Sequence, residues 1–81
     1  MFYIYILLCS DQSLYTGYTN DIEKRVETHR QGLGSKYVRA HLPCKLVYSE
    51  KFETKSEAMK RETEIKSWNR SKKLRELKLV L

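Results

Sequence analysis

The chain has 81 residues, 41% hydrophobic and 32% charged, with a formal net charge of +6. A chain this short buries only roughly 60–65% of its unfolded surface, so it has room for one domain with a modest core and a shallow site. Three glycines and one proline exclude a low-complexity linker, and the apolar run Ile4–Cys9 is far shorter than the ~20 residues of a membrane span. That run follows Met1 with no basic segment before it, so the expectation is a cytoplasmic protein without a membrane association.

Phe2 to Cys9 is aromatic and β-branched, Ser10-Asp11-Gln12-Ser13 supplies turn chemistry, and Leu14 to Thr19 resumes an extended pattern, which predicts a β-hairpin. Asn20 with Glu23 three residues on predicts a capped helix, with Ile22, Val26 and His29 at helical spacing up to about Arg30. The helix is expected to end before Gly32 and Gly34. Residues 35–43 leave room for a short helical turn, and Leu46-Val47-Tyr48 with Phe52 predicts a third strand. Thr54-Lys55-Ser56-Glu57 opens a helix through about Trp68, and Ser71 caps a last helix with Leu74, Leu77 and Leu81 on one face. The order ββα-β-αα predicts an α+β fold over residues 1–81. Its simplest form is a three-stranded antiparallel sheet flanked by helices, with a basic helical segment at about 70–81.

Residues 55–81 carry nine Lys/Arg against four Glu, so +5 of the +6 lies in the last third. A surface of this kind gathers polyanions such as nucleic acid. Cys9 and Cys44 lie in apolar, strand-like segments without zinc-site spacing, which predicts buried, reduced thiols.

Several residues break the pattern that a purely structural role would give. Tyr5 and Tyr15 are ten residues apart, an even number. An even-sum hairpin register, for instance Cys9 opposite Tyr15 and Tyr5 opposite Thr19, therefore puts both rings on one sheet face. Gly17 sits inside a strand, where glycine marks a bulge or a close backbone approach. Arg25 lies at the edge of the helix's apolar stripe, where its fork can hold a phosphate; the bland alternative is a surface pair with Asp21. His29 follows one turn later, as a phosphate contact, an acid or a structural histidine. Glu62 shares a helical face with Ala58 and Ile65, so a carboxylate stands where an apolar residue is expected; its bland role is an i,i+4 pair with Lys66.

The order Tyr-x9-Tyr-x-Gly, then arginine, histidine and a later glutamate, is carried by Tyr5, Tyr15, Gly17, Arg25, His29 and Glu62. It resembles the GIY-YIG nuclease superfamily, from the N-terminus to about residue 68. In size and in the stretch 57–68 the chain resembles the small stand-alone bacterial members. Tyr3 stands where the family typically has glycine.

The resemblance implies metal-dependent, endonuclease-type hydrolysis of DNA, single-stranded or branched DNA included. Tyr5 and Tyr15 would position the nucleophile, and a phenol of lowered pKa can act as general base. Arg25 would stabilise the phosphoryl transition state, with His29 beside it, and Glu62 would hold one Mg2+ or Mn2+. Lys66, Arg70, Lys72, Lys73 and Arg75 are expected to grip the nucleic-acid backbone. DNA is the expected partner ahead of RNA. Two alternatives are a non-catalytic nucleic-acid-binding module for DNA or RNA, and a subunit taking its specificity from a protein partner. Asn69 is expected to be a helix C-cap.

Overall fold

β1 (Phe2–Leu8) is enclosed over its middle: Ile4, Tyr5, Ile6 and Leu7 are each at most 1% exposed. A strand covered on both faces reads as an unbroken apolar run, as this one does. The computed structural model describes residues 1–81. In it β1 is the middle of a three-stranded antiparallel sheet, between β2 (Leu14–Thr19) and β3 (Lys45–Phe52), so the spatial order is β2-β1-β3. The fold is α+β, with α1 (Ile22–Arg30), α2 (Lys36–Ala40), α3 (Lys55–Lys66) and α4 (Arg70–Glu76) covering the sheet.

Side-chain alternation along β1 divides the core in two. Ile4 and Ile6 pack with Ala58 and Ile65 of α3 and with Leu77 just past α4. Tyr5 and Leu7 face the other way, onto Val38 of α2, with Val26 of α1 and Tyr15 around them. The hairpin register pairs Tyr5 with Gly17 and Leu7 with Tyr15, two residues tighter than Tyr5 opposite Thr19. Its parity is unchanged, so both tyrosines stay on one face. On the other side of β1 the register shifts between Ile6 and Leu7, where Val47 is the extra residue of a bulge in β3.

The helix starts differ from expectation where two polar residues competed for a cap. α1 is capped by Asp21, whose Oδ1 accepts from the Lys24 amide at 3.1 Å, and not by Asn20. The Thr19 hydroxyl accepts from the Asp21 amide at 3.1 Å, which holds the chain extended for one more residue. α3 opens at Thr54 as expected, with the Glu57 amide on its hydroxyl at 3.2 Å, but ends at Lys66. Asn69 caps the start of α4, not the end of a helix, accepting from the Lys72 amide at 2.8 Å; Ser71 lies inside that helix. Lys78 turns left-handed at φ 54°, so Leu79, not Leu81, folds back onto the core. Asn69→Ala is expected to cost about 1 kcal/mol, read as a fall of roughly 4–8 °C in melting temperature. No helix is long and apolar enough to cross a membrane.

Candidate active site

Tyr5 begins on the central strand, yet its hydroxyl is delivered over the edge strand, because the ring lies across its cross-strand partner Gly17. A Cβ on Gly17 would stand 2.5 Å from the Tyr5 hydroxyl oxygen and 2.7 Å from Cζ, so only glycine admits the ring. β2 is an outer strand, so the hydroxyl is brought to the edge of the sheet while the residue stays buried. From the α1 side, Nε2 of His29 lies 2.8 Å from the Tyr5 oxygen. Tyr15 closes the cluster, its ring centroid 6.4 Å from Tyr5 and edge-on to His29 at 5.6 Å.

His29 takes the third inward position of α1 after Ile22 and Val26, and the apolar spacing that drives the helix onto the sheet also buries the imidazole. Its other nitrogen, Nδ1, packs against Gly34, where a Cβ would stand 2.3 Å away. No protein group bonds to that nitrogen. Sequence reasoning missed Gly34; its signal was a second glycine so soon after the helix end.

Burial, and next the neighbouring Tyr15, push the Tyr5 phenol up to about 12, with Arg25 pulling the other way. Burial, then the Arg25 charge, hold His29 below its usual value. Both groups are therefore neutral at pH 7, and one proton is shared out along the Tyr5 oxygen–His29 Nε2 hydrogen bond, whose direction follows the imidazole tautomer. The signs fix a window. His29 contributes stability above its ordinary 6.5 that is lost as pH falls below it, because the unfolded chain takes up the proton first. Tyr5 contributes stability below its ordinary 10.0 that is lost as pH rises from there towards about 12, because the unfolded chain ionises first. Melting temperature against pH is expected to plateau between these limits and fall on both sides.

Arg25 is exposed and projects beside this cluster. The surface pair with Asp21 gives way to capping, since that carboxylate is engaged by the Lys24 amide. Arg25 instead lines two adjoining openings, one with Tyr15, Lys24, Thr28, His29 and Ser35, the other with Tyr18 and Lys55. Lys24, Thr28 and Ser35 carry no motif that sequence reading could single out, and enter the cleft only because α1 and the start of α2 form its wall.

Glu62 lies on the inner face of α3 with Ala58 and Ile65, its side chain 15% exposed. Its one ionic partner is Lys66, at 3.4 Å. Its charge is felt at the Tyr5 phenol. No group of three His, Cys, Asp or Glu side chains forms a cage. A mostly buried carboxylate with one loose partner fits a cation that completes its shell with water and phosphate oxygens, as Mg2+ habitually does.

The basic C-terminal residues divide. Lys72 lies over the Trp68 ring at 5.2 Å, Arg75 is exposed, and Arg70 donates through Nε to the Gln12 carbonyl at 2.7 Å. Lys73 is 8% exposed and its ammonium donates to the Leu14 carbonyl at 3.4 Å. Arg70 and Lys73 thus dock α4 against the β1–β2 turn.

A profile of the GIY-YIG catalytic domain matches residues 1–75. The chain belongs to the GIY-YIG family. A UPF0213 protein of Staphylococcus aureus is 57% identical over 76 residues, covering 94% of this chain and 93% of its own. The solution NMR structure of the UPF0213 protein BH0048 from Bacillus halodurans superposes with a TM-score of 0.62 at 44% identity, over 96% of this chain and 84% of that one. The protein EF2693 from E. faecalis gives 0.65 at 45%, over 94% and 81%. GIY-YIG domains are nuclease domains that generally use a divalent metal, so the match makes this chain a member of a nuclease family and nucleic acid its implied substrate.

Proposed function

We propose that this GIY-YIG domain is a metal-dependent endonuclease acting on DNA, single-stranded or branched DNA included, as one domain in the cytoplasm. The observation that carries the reading is the Tyr5 hydroxyl held over Gly17 at 2.8 Å from a neutral imidazole. A phenol pushed up to about 12 is a poor base by itself, so a lowered Tyr5 pKa does not supply the activation. The hydrogen bond to His29 supplies it instead: as Tyr5 accepts the proton of an attacking water, Nε2 accepts the proton of Tyr5. Tyr15, at the cleft wall, helps orient that water.

Arg25 offers two parallel N–H donors to the phosphate, and its charge matters most where negative charge grows on the non-bridging oxygens. Glu62 would hold the divalent cation, Mg2+ or Mn2+, which supplies charge neutralisation at the phosphate. Lys66, Lys72 and Arg75, with Arg70, draw in the nucleic-acid backbone, while Lys73 holds α4 in place.

The burial of Tyr5 and His29, 1% and 3% exposed, favours a second reading: a nucleic-acid-binding module, for DNA or RNA, that keeps the fold without turnover. Incubation with plasmid, single-stranded and branched DNA plus Mg2+ or Mn2+, beside Arg25→Ala and Glu62→Ala, separates the two. The nuclease reading expects cleavage that drops by roughly 10²–10³-fold in each variant. Salt-sensitive binding without cleavage by any form would establish the binding module instead.

A further inference from the structure

We propose that Cys9 and Cys44 form a dithiol modification site, which a low-molecular-weight disulfide such as oxidised glutathione converts into an intramolecular disulfide. Both are free thiols, and their sulfurs lie 2.7 Å apart although 35 residues separate them in the chain.

The backbone fixes this approach independently of the sulfurs. The Ser10 amide and hydroxyl both donate to the His41 carbonyl, at 3.0 and 2.8 Å. The Asp11 carboxylate meets His41 Nε2 at 3.4 Å. The segment after β1 is thus tied to the segment before β3, with one cysteine on each. The two thiols line a small opening with Leu8, Gln12, Pro43 and Lys45, which shares no residue with the Arg25–His29 cleft.

Exposure orders the chemistry. Cys44 is half-buried, whereas Cys9 is 2% exposed and its thiol is pushed up by burial and by its hydrogen bond with the Cys44 thiol. The Cys44 thiolate, with the Lys45 ammonium at the rim of the opening, attacks the small disulfide and releases one thiol. The Cys9 thiolate then attacks the Cys44 sulfur of the mixed disulfide and releases the second. The two cysteines lose two protons and two electrons, and the small disulfide leaves as two thiols. The product joins the end of β1 to the entry of β3 and closes a ring of chain containing Tyr15, Gly17, Arg25 and His29. A ring of that length is expected to raise the melting temperature by roughly 10 °C or more. A reducing cytoplasm keeps the pair as thiols until the poise shifts.

The test is intact mass and thiol counting on the full reduced chain after incubation with oxidised glutathione. The parent is expected to lose about 2 Da, the two hydrogens of the thiols, and to show no free thiol. Cys9→Ser is expected to retain glutathione on Cys44, and Cys44→Ser to take up none. A parent that keeps both thiols, accumulates a stable glutathione adduct or links to a second copy overturns the site. An adduct on Cys44→Ser overturns the order of attack. If either variant fails to fold, the parent's mass and thiol count decide. The readout is independent of any activity on DNA, so it stands or falls apart from the nuclease reading.

Discussion

Tyr5→Phe is expected to lower DNA cleavage by roughly 10²–10⁴-fold, the range associated with losing a positioned proton-transfer group. The change deletes one oxygen and leaves a ring of the same shape across Gly17, so the hairpin and the packing on Val38 survive. What disappears is the one hydrogen bond of His29 Nε2. Leaving a buried nitrogen unpaired costs about 1–3 kcal/mol, so a lower melting temperature accompanies the lost activity. Circular dichroism confirms the fold while single-turnover kinetics on the cleaved substrate read the chemistry. A Tyr5→Phe protein that cleaves at the parental rate sinks the assignment of Tyr5, whatever its stability.

Gly17→Ala is expected to damage the same point from the opposite strand. The added methyl carbon would stand 2.5 Å from the Tyr5 hydroxyl oxygen and 2.7 Å from the ring carbon that bears it. The end of that ring is not free to swing aside, because its oxygen is bonded to His29 and the residue is 1% exposed. Overpacking of this kind costs about 1–3 kcal/mol, or roughly 4–8 °C in melting temperature per kcal/mol for a domain of this size. Cleavage is expected to fall at least as far as in Tyr5→Phe, since the hydroxyl moves instead of merely being lost. Calorimetry and the same cleavage assay check both parts. Tyr5→Leu removes the ring that the methyl meets but adds a cavity and unpairs His29 Nε2, so Gly17→Ala is read in both backgrounds. It is expected to cost less stability in the Tyr5→Leu background than in the parent, with no activity in the double variant. An equal cost in both backgrounds would place it in the strand backbone and not in the Tyr5 contact.

The fold was largely legible because its signals are local. Alternation and turn chemistry mark the hairpin, and Thr54 with Glu57 marks the start of α3. The even spacing of Tyr5 and Tyr15 puts them on one face whichever even register the hairpin takes, which is why an illustrative register two residues off still placed them together. Caps were less legible where Asn20 stood beside Asp21 and Asn69 near Ser71. Each can accept from the backbone, and the choice rests on contacts such as Thr19 to Asp21. In the site, the inward position of Glu62 followed from helical spacing. Two things did not follow. The pairing of His29 with Gly34 depends on how the chain turns after α1, which periodicity does not encode. The division of the C-terminal cations depends on which ammonium meets a free carbonyl, and Lys73 finds that of Leu14 across 59 residues.

The bulge at Val47 also bears on how copies of the protein meet one another. β3 is an outer strand, and an outer strand with unsatisfied amides and carbonyls is a template for another chain to add to the sheet. The extra residue twists the edge, and the exposed Lys45 and Lys51 set charge along it. A second copy laid along β3 would have to match an interrupted ladder and bring ammonium groups into the seam. The interrupted ladder and the charge along it therefore disfavour growth of the sheet at that edge.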